Sequence, residues 1–387
     1  MSLWIIVDSW LLPLKGTVIW PGLVEVGQFL GTHLISGMIP AFFIAGAINI
    51  FLDKQNITRL MGSKANPLVA YPVAALTGGI LTVCSCGVIP IFSSVLSQGA
   101  GIGPAFTFLL AAPAVNLISL TYTWSLIGIR FTLWRGLLVV LAAMAVGLAM
   151  KRLFGDPPPT AAGLPGPLVM VEEDERPLAP TALLFALLLL IMITSTGLFD
   201  SYLRPEGLAA HSPYFTGGDI RAIDFLMAKG LLLLTQVLIL AGVLWKWFSL
   251  AETRLWLNKS VDLFVTIFPK VLLGLFLSGI LAAGIQLSDP RLMAVFDTNS
   301  LQGNFLAAFI GSLMYFGTIV GVNIVATLMR YGMHAGPAMA LTLAGPAVSL
   351  PSLLAIVPVV GRHKAMAFFA LVVIIAALCG LLFGTFF

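Results

Sequence analysis

Long apolar runs alternate with short polar segments along most of this chain. Each run approaches or exceeds the roughly 20 residues that an α-helix needs to cross a bilayer. The runs lie at residues 28–51, 66–98, 104–129, 136–150, 181–199, 225–248, 263–286, 304–331, 335–361 and 365–386. Arg130 and Arg135 are assigned to the polar segment before the span at 136–150. The pattern predicts an all-α polytopic membrane protein with about ten transmembrane helices, a count that changes by one or two if residues 84–113 are re-entrant.

The stretch 82–120 is apolar but does not have the pattern of one continuous helix. It reads TVCSCGVIPIFSSVLSQGAGIGPAFTFLLAAPAVNLISL. Proline lacks a backbone donor and glycine has a low helix propensity, so both interrupt helices. An interrupted helix at membrane depth must place its freed backbone groups in protein or along a water-filled cavity. The predicted break and hinge positions here are Gly87, Pro90, Gly103 and Pro104.

An internal repeat connects this stretch with a later part of the chain. Residues 103–120, GPAFTFLLAAPAVNLISL, share 11 of 18 positions with residues 336–353, GPAMALTLAGPAVSLPSL, at one unbroken offset of 233. The second set of break positions is Gly336, Pro337 and Pro346. Interruptions at matching places in two related halves indicate a transport site where the repeats meet. The alternative is an old duplication that serves packing alone.

A segment of different composition separates the two repeats. Residues 151–180, KRLFGDPPPTAAGLPGPLVMVEEDERPLAP, are rich in Pro and Gly and contain an acidic run, which is typical of an extramembrane linker. We therefore divide the chain into a first membrane half at 1–150, a linker at 151–180 and a second membrane half at 181–387.

The composition supports a membrane protein and limits its partners. The 387 residues are 59% hydrophobic and 9% charged, whereas soluble domains contain about 25% charged residues. The net charge of +4 is spread over short loops, so nucleic acid is not an expected partner. The expected partners are membrane lipid and a small-molecule substrate, and the oligomeric state stays open. Lys and Arg are similarly abundant on both sides and favour neither orientation.

Two neighbouring cysteines are the strongest candidates for chemistry. Cys84 and Cys86 point to opposite sides of an intact helix but to one side of an extended segment, and Gly87 and Pro90 favour local unwinding. Two convergent thiolates suit a soft ion of the arsenic(III) type, so the pair is also the predicted metal site. The equivalents in the second repeat are a glycine and an isoleucine, so the fold does not require thiols there. The alternative is that both are small buried hydrophobes.

Neutral polar side chains near the breaks complete the predicted substrate-binding set. They either contact the substrate or satisfy backbone groups freed by the interruptions. With the two cysteines and the adjacent proline, the set is Cys84, Ser85, Cys86, Pro113, Asn116, Asn323 and Ser349.

The CSCG-x-x-P run at 84–90, the Gly-rich turn after it and FLLAAPAVN at 108–116 resemble the ArsP/YraQ-like predicted permease family. The resemblance extends to the second half through GPAMALTLAGPAVS. It implies an efflux permease for trivalent organoarsenicals, with methylarsenite as the substrate, in the bacterial cytoplasmic (inner) membrane. It also implies that the thiol site of the family corresponds to Cys84 and Cys86.

Other classes of function lack their sequence signatures. The chain has no Gly-Lys-Ser/Thr phosphate loop, no His-Glu-x-x-His helix and no nucleophile elbow. We therefore expect neither enzymatic activity nor a cofactor. Two alternatives remain: a permease for another small or metal-related substrate, and a membrane thiol oxidoreductase that uses the cysteine pair.

Overall fold

The computed structural model describes most of the chain. The described residues are 19–32, 34, 38–51, 54–62, 65–80, 87–115, 117–155, 178–196, 218–284, 290–315 and 318–387. Within these ranges every regular element is a helix, and the one isolated bridge joins Gly62 to Ala100. The predicted all-α fold is therefore confirmed.

The helices are numbered in chain order. The first part contains α1 (Trp20–Thr32), α2 (Ile39–Phe51), α3 (Lys54–Met61), α4 (Pro67–Ile80), α5 (Val88–Ser97), α6 (Ile102–Ala114), α7 (Leu117–Leu126) and α8 (Ile129–Phe154). The second part contains α9 (Leu178–Thr196), α10 (Gly218–Trp247), α11 (Leu250–Gly284), α12 (Pro290–Phe296), α13 (Leu301–Leu313), α14 (Thr318–Arg330), α15 (Ala335–Ala347), α16 (Leu350–Val360) and α17 (Arg362–Phe386).

The described helices include several that are long and apolar enough to cross a membrane. Four qualify singly, at Ile129–Phe154, Lys229–Trp247, Leu250–Ala283 and Arg362–Phe386. Two further spans result if each bent pair, α6 with α7 and α15 with α16, is counted as one crossing. The described part thus contains four to six candidate spans, and the predicted total of about ten stays a prediction.

The predicted linker is described only at its ends. Helix α8 continues to Phe154, and α9 begins at Leu178. Residues 156–177 lie outside the described part, so the division into two halves and a linker stays a prediction.

Helices α6 and α15 form the centre of the bundle. Every residue of both helices is buried, although each has only 13 residues. Helix α6 packs between α4 and α8, α15 packs between α13 and α17, and the two central helices contact each other. A helix that is apolar and buried on all faces lies inside its bundle.

Glycines allow the central helices to approach their neighbours closely. A Cβ on Gly147 of α8 would lie 2.5 Å from the carbonyl oxygen of Gly103, and one on Gly380 of α17 would lie 2.7 Å from that of Gly336. Both crossings therefore pack backbone against backbone, as small residues permit in membrane bundles. The two crossings are related by the offset of 233 residues that relates the sequence segments.

The same offset relates the starts of three helices in the two parts. Helices α6, α7 and α8 begin 233 residues before α15, α16 and α17, respectively. The turns before these helices also correspond, since Gly99 and Gly332 have φ of 96° and 105°, and Gly128 and Gly361 have φ of 119° and 87°. Only glycine adopts such positive φ values readily.

Candidate functional site at the junction of the two bent helix pairs

Each central helix ends at a bend. Helices α6 and α7 form the first bent pair, with 46° between their axes, and α15 and α16 form the second, with 47°. Pro113 and Pro346 lie in the last turns of α6 and α15. A proline there removes a helical hydrogen bond, which favours an interruption close by. Both breaks thus follow prolines that the sequence analysis singled out.

The second break is stabilised by its own side chains. Val348 and Ser349 are extended, with φ, ψ of −142°, 127° and −128°, 163°. The buried Ser349 Oγ lies 2.9 Å from Ser352 Oγ. A proline at the first turn of α16 is tolerated because the amide there has no helical partner. Ser349 therefore satisfies a neighbouring hydroxyl at the interruption. Its predicted counterpart Asn116 lies outside the described residues.

The remaining predicted break positions occupy helix starts. Gly103 and Pro104 lie in the first turn of α6, and Gly336 and Pro337 lie in the first turn of α15. These residues therefore begin new helices after tight turns. No helical hydrogen bond is lost in a first turn, where the amides have no partner within the helix.

The cysteine segment lies between two short helices. Cys84, Ser85 and Cys86 are outside the described residues, in the connection between α4, which ends at Ile80, and α5, which begins at Val88. Gly87 directly precedes α5 and is buried, and Pro90 lies in the first turn of α5. The described residues contain no group of three His, Cys, Asp or Glu side chains that could hold a metal ion.

Asn323 connects the two parts of the chain. It lies exposed on α14, and its Oδ1 accepts a hydrogen bond of 3.0 Å from the hydroxyl of Tyr122 on α7. Helix α7, the outer arm of the first bent pair, packs against α14. The structure thus brings one predicted site residue to the first bent pair, through a tyrosine that sequence reasoning missed.

A fully buried arginine is the second residue that sequence reasoning missed. Arg135 is 0% exposed and lies within α8, not in the polar segment to which the sequence analysis assigned it. Its Nη1 donates to Ser119 O over 3.3 Å and to Thr123 Oγ1, and its Nη2 donates to Ser119 Oγ over 2.8 Å. The sequence signal that could have placed Arg135 inside the helix is the apolar sequence on both sides of it, since α8 begins six residues before Arg135.

Two small cavities lie where the parts meet. One, of about 10 Å³, is apolar and is lined by pairs of residues 233 positions apart, including Leu110 with Leu343 and Val139 with Val372. The other, also of about 10 Å³, is lined by Arg135 together with residues of α14 and α15. Each has room for roughly one water molecule, so neither cavity admits a larger solute in this conformation.

A second polar cluster, also missed from the sequence, fixes α5 to α2. Asn49 Nδ2 donates to Ser94 Oγ over 2.6 Å, and Ser97 Oγ donates to Asn49 Oδ1 over 2.9 Å. Gln98 Nε2 donates to Asn49 O over 2.8 Å. These bonds hold in place the helix that directly follows the cysteine segment.

The fold and the bends together define a class of protein. Apolar helices long enough to span a membrane surround two bent helix pairs that meet at the centre of the bundle. Helices interrupted inside the bundle, with freed backbone facing protein or a cavity, are typical of membrane transport proteins.

Comparison with known proteins agrees with this class and supplies the family. Residues 25–385 match the model of the ArsP_1 family, described as predicted permease. The chain is 36% identical to the UPF0718 protein MJ0584 of Methanocaldococcus jannaschii over 92% of its own length and 93% of that protein. It is 30% identical to the UPF0718 protein YcgR of Bacillus subtilis over 29% of its length and 38% of that protein. No solved structure matches the chain. The chain belongs to the ArsP_1 predicted permease family.

Proposed function

We propose that this protein is a secondary permease that exports small thiophilic solutes, with trivalent organoarsenicals such as methylarsenite as the favoured class. The observation that carries the proposal is the meeting of two bent helix pairs at the bundle centre, with angles of 46° and 47° and helix starts 233 residues apart. Paired interruptions in two related halves are where transporters of several folds bind their substrates. The proposal includes that internal repeat, about ten crossings of the bacterial cytoplasmic membrane and no enzymatic step.

The arrangement supports movement of one half against the other. Helix α6 contacts α15, and α7 contacts α14, so the outer arm of the first bent pair packs against the proposed second half. Each bend follows a proline, and in the second bend the extended Val348 and Ser349 interrupt the helical hydrogen bonds. A bend of this kind can change its angle at little cost while the buried glycine crossings keep each half rigid. Rocking about these contacts would open the junction to either side.

The proposed substrate follows from soft-ligand chemistry. Cys84 and Cys86 are the first-half thiols, and their segment connects α4 to α5, which is fixed by the Asn49 cluster. Trivalent arsenic binds thiolate sulfur in preference to oxygen. Methylarsenite, CH3As(OH)2, can exchange its two hydroxyl groups for the two sulfurs without a charged site: each As–S bond that forms replaces an As–O bond, and the hydroxide leaves with the thiol proton as water. The reverse exchange with two water molecules restores both thiols and releases the arsenical when the segment moves.

The test is uptake of methylarsenite by everted membrane vesicles from cells that express the protein. The parent should accumulate methylarsenite, and Cys84→Ser and Cys86→Ser should each reduce the initial rate at least tenfold at equal membrane abundance. Cys379→Ser is the matched control, because Cys379 lies half-buried in α17 far along the chain from the pair. Equal rates for the parent and both variants would refute the thiol mechanism, and no uptake by the parent would refute the substrate.

A further inference from the structure

Arg135 is a charge inside an apolar helix. It is the seventh residue of α8, a 26-residue helix long and apolar enough to cross a membrane, so it lies about 9 Å along the helix axis from its start. Its side chain is completely buried, which excludes contact with lipid head groups in this conformation. Ionisable residues at such depth are costly and usually serve a function.

The guanidinium has no compensating negative charge among the described residues. Its hydrogen bonds go to the neutral groups of Ser119 and Thr123. Its Nε is buried and has no hydrogen-bond partner in the described structure. Buried charges in proteins are normally paired, and arginine does not lose its proton at neutral pH. The hydrogen bonds to Ser119 and Thr123 position the side chain. They leave the positive charge without a counterion, and the Nε donor without an acceptor, among the described residues.

The cavity beside Arg135 is lined from both parts of the chain, and the residues 233 positions away from its lining are different in size. Its walls include Gly321 and Val325 of α14 and Leu341 of α15. The residues 233 positions earlier are Val88, Phe92 and Phe108, and the residue 233 positions after Arg135 is Phe368. These counterparts are all buried, and Phe92 and Phe368 both contact the ring of Phe106. At these counterpart positions large aromatic side chains pack together, whereas the positions around Arg135 carry smaller residues and leave a cavity next to the cation.

We propose that Arg135 forms a binding site for a small monovalent anion at the junction of the two bent helix pairs. The cavity accommodates roughly one water-sized group, which selects halide-sized ions. The bound anion neutralises the guanidinium, whose Nε has no hydrogen-bond partner in the described structure. Because α8 and α7 come from one half and α14 and α15 from the other, the anion lies between surfaces that separate when the halves rock. This site goes beyond the export proposed above, which concerns an uncharged solute, and its test does not require that export.

The test is thermal unfolding of the purified full-length protein in detergent, followed by tryptophan fluorescence, with chloride as the probe. Chloride replaces gluconate, which is too large for the cavity, at constant sodium concentration. A site that binds only the folded protein stabilises it by RT ln(1 + c/Kd), where c is the chloride concentration, so the unfolding temperature of the parent should rise with the logarithm of the chloride concentration above Kd, by roughly 2 °C at tenfold excess over Kd. No such rise in the parent, relative to gluconate, would overturn the proposal, and this comparison needs no variant.

Variants of Arg135 test whether the chloride-dependent rise in unfolding temperature comes from binding at this residue. Arg135→Gln should abolish the chloride-dependent rise, and Arg135→Lys should keep a smaller one because the charge remains. Arg130→Gln removes an exposed charge from the start of the same helix and should behave as the parent. If Arg135→Gln and the parent respond equally, the site is elsewhere and the proposal is wrong. If Arg135→Gln does not fold, Arg135→Lys decides: a reduced chloride-dependent shift supports the site, and a shift equal to that of the parent contradicts it.

Discussion

The hydroxyl of Tyr122 donates a hydrogen bond of 3.0 Å to Asn323 Oδ1, across 201 residues of sequence. It joins α7, the outer arm of the first bent pair, to α14, which lies much later in the chain. Because the pair is exposed, water can replace either partner, and the bond contributes little to the stability of the fold. It can nevertheless bias the position of the two halves, since these helices separate if the junction opens.

Replacement of Tyr122 by phenylalanine tests this bias. The variant loses the cross-half bond, which is worth about 1 kcal/mol, and we expect the initial rate of methylarsenite uptake to rise about two- to tenfold. The unfolding temperature should change by less than about 2 °C. Tyr331→Phe, at an exposed tyrosine in the turn after α14, is the control and should leave both quantities unchanged. A slower rate for Tyr122→Phe would contradict a restraining role.

The glycine crossings predict a large difference between two substitutions on one helix. In Gly147→Ala the new methyl group would lie 2.5 Å from Gly103 O, which is backbone and cannot move without displacing α6. We expect a loss of about 1–3 kcal/mol of folding free energy. Gly136→Ala, also on α8, meets nothing within 4 Å and should be neutral or slightly stabilising through helix propensity.

Unfolding temperatures in detergent measure both glycine variants. Gly380→Ala, the counterpart of Gly147→Ala in α17, should behave like it, because its new methyl would lie 2.7 Å from Gly336 O. If Gly147→Ala or Gly380→Ala lowered the unfolding temperature no more than Gly136→Ala does, the two central helices would not pack against their neighbours as described.

The hydrogen bonds of Asn49 predict that replacing this residue lowers the stability of the protein. Asn49→Ala removes the bonds to Ser94 and Ser97 that join α2 to α5, while the two hydroxyls keep only their bonds to backbone carbonyls of α5. We expect a loss of about 1–3 kcal/mol in stability. Asn258→Ala on the exposed face of α11 is the control and should cost less than about 0.5 kcal/mol. Equal effects of the two substitutions on chemical denaturation would show that the cluster does not fix α5.

The proline and glycine pattern in the sequence predicted part of the central architecture. The segments at 103–120 and 336–353 correspond to the two buried helices and their bends, and Pro113 and Pro346 lie next to the breaks. The reason is local chemistry, since proline and glycine act on the backbone at their own positions. Such signals can be identified without knowledge of the neighbours.

Hydropathy predicted the remaining helices less well. The run at 66–98 contains α4 and α5, and the run at 304–331 contains most of α13 together with α14, although each run was assigned as one span. Hydropathy measures the environment of the side chains, and two half-length helices inside a bundle are as apolar as one long helix. The break between α13 and α14 follows Met314 in an extended conformation, with φ, ψ of −85°, 145°.

The buried arginine and the cross-half tyrosine could not be derived from sequence pattern. Arg135 lies near one end of an apolar run, where a charged residue normally extends to the membrane surface. Its burial depends on α7, α14 and α15, which pack around it from distant parts of the chain. Tyr122 and Asn323 are likewise ordinary polar residues until the fold places them 3.0 Å apart.

The central claim is that solute passes between two halves that move against each other at α7 and α14. The most direct measurement is methylarsenite uptake by vesicles that contain the double variant Tyr122→Cys, Asn323→Cys, before and after treatment with a short, thiol-cleavable bifunctional reagent. Methylarsenite present during the treatment occupies Cys84 and Cys86 and shields them, and each single variant, treated in the same way, controls for any remaining reaction at the native cysteines. The account predicts that cross-linking stops uptake in the double variant alone and that a reductant restores it. Uptake at the untreated rate by fully cross-linked protein would contradict the account.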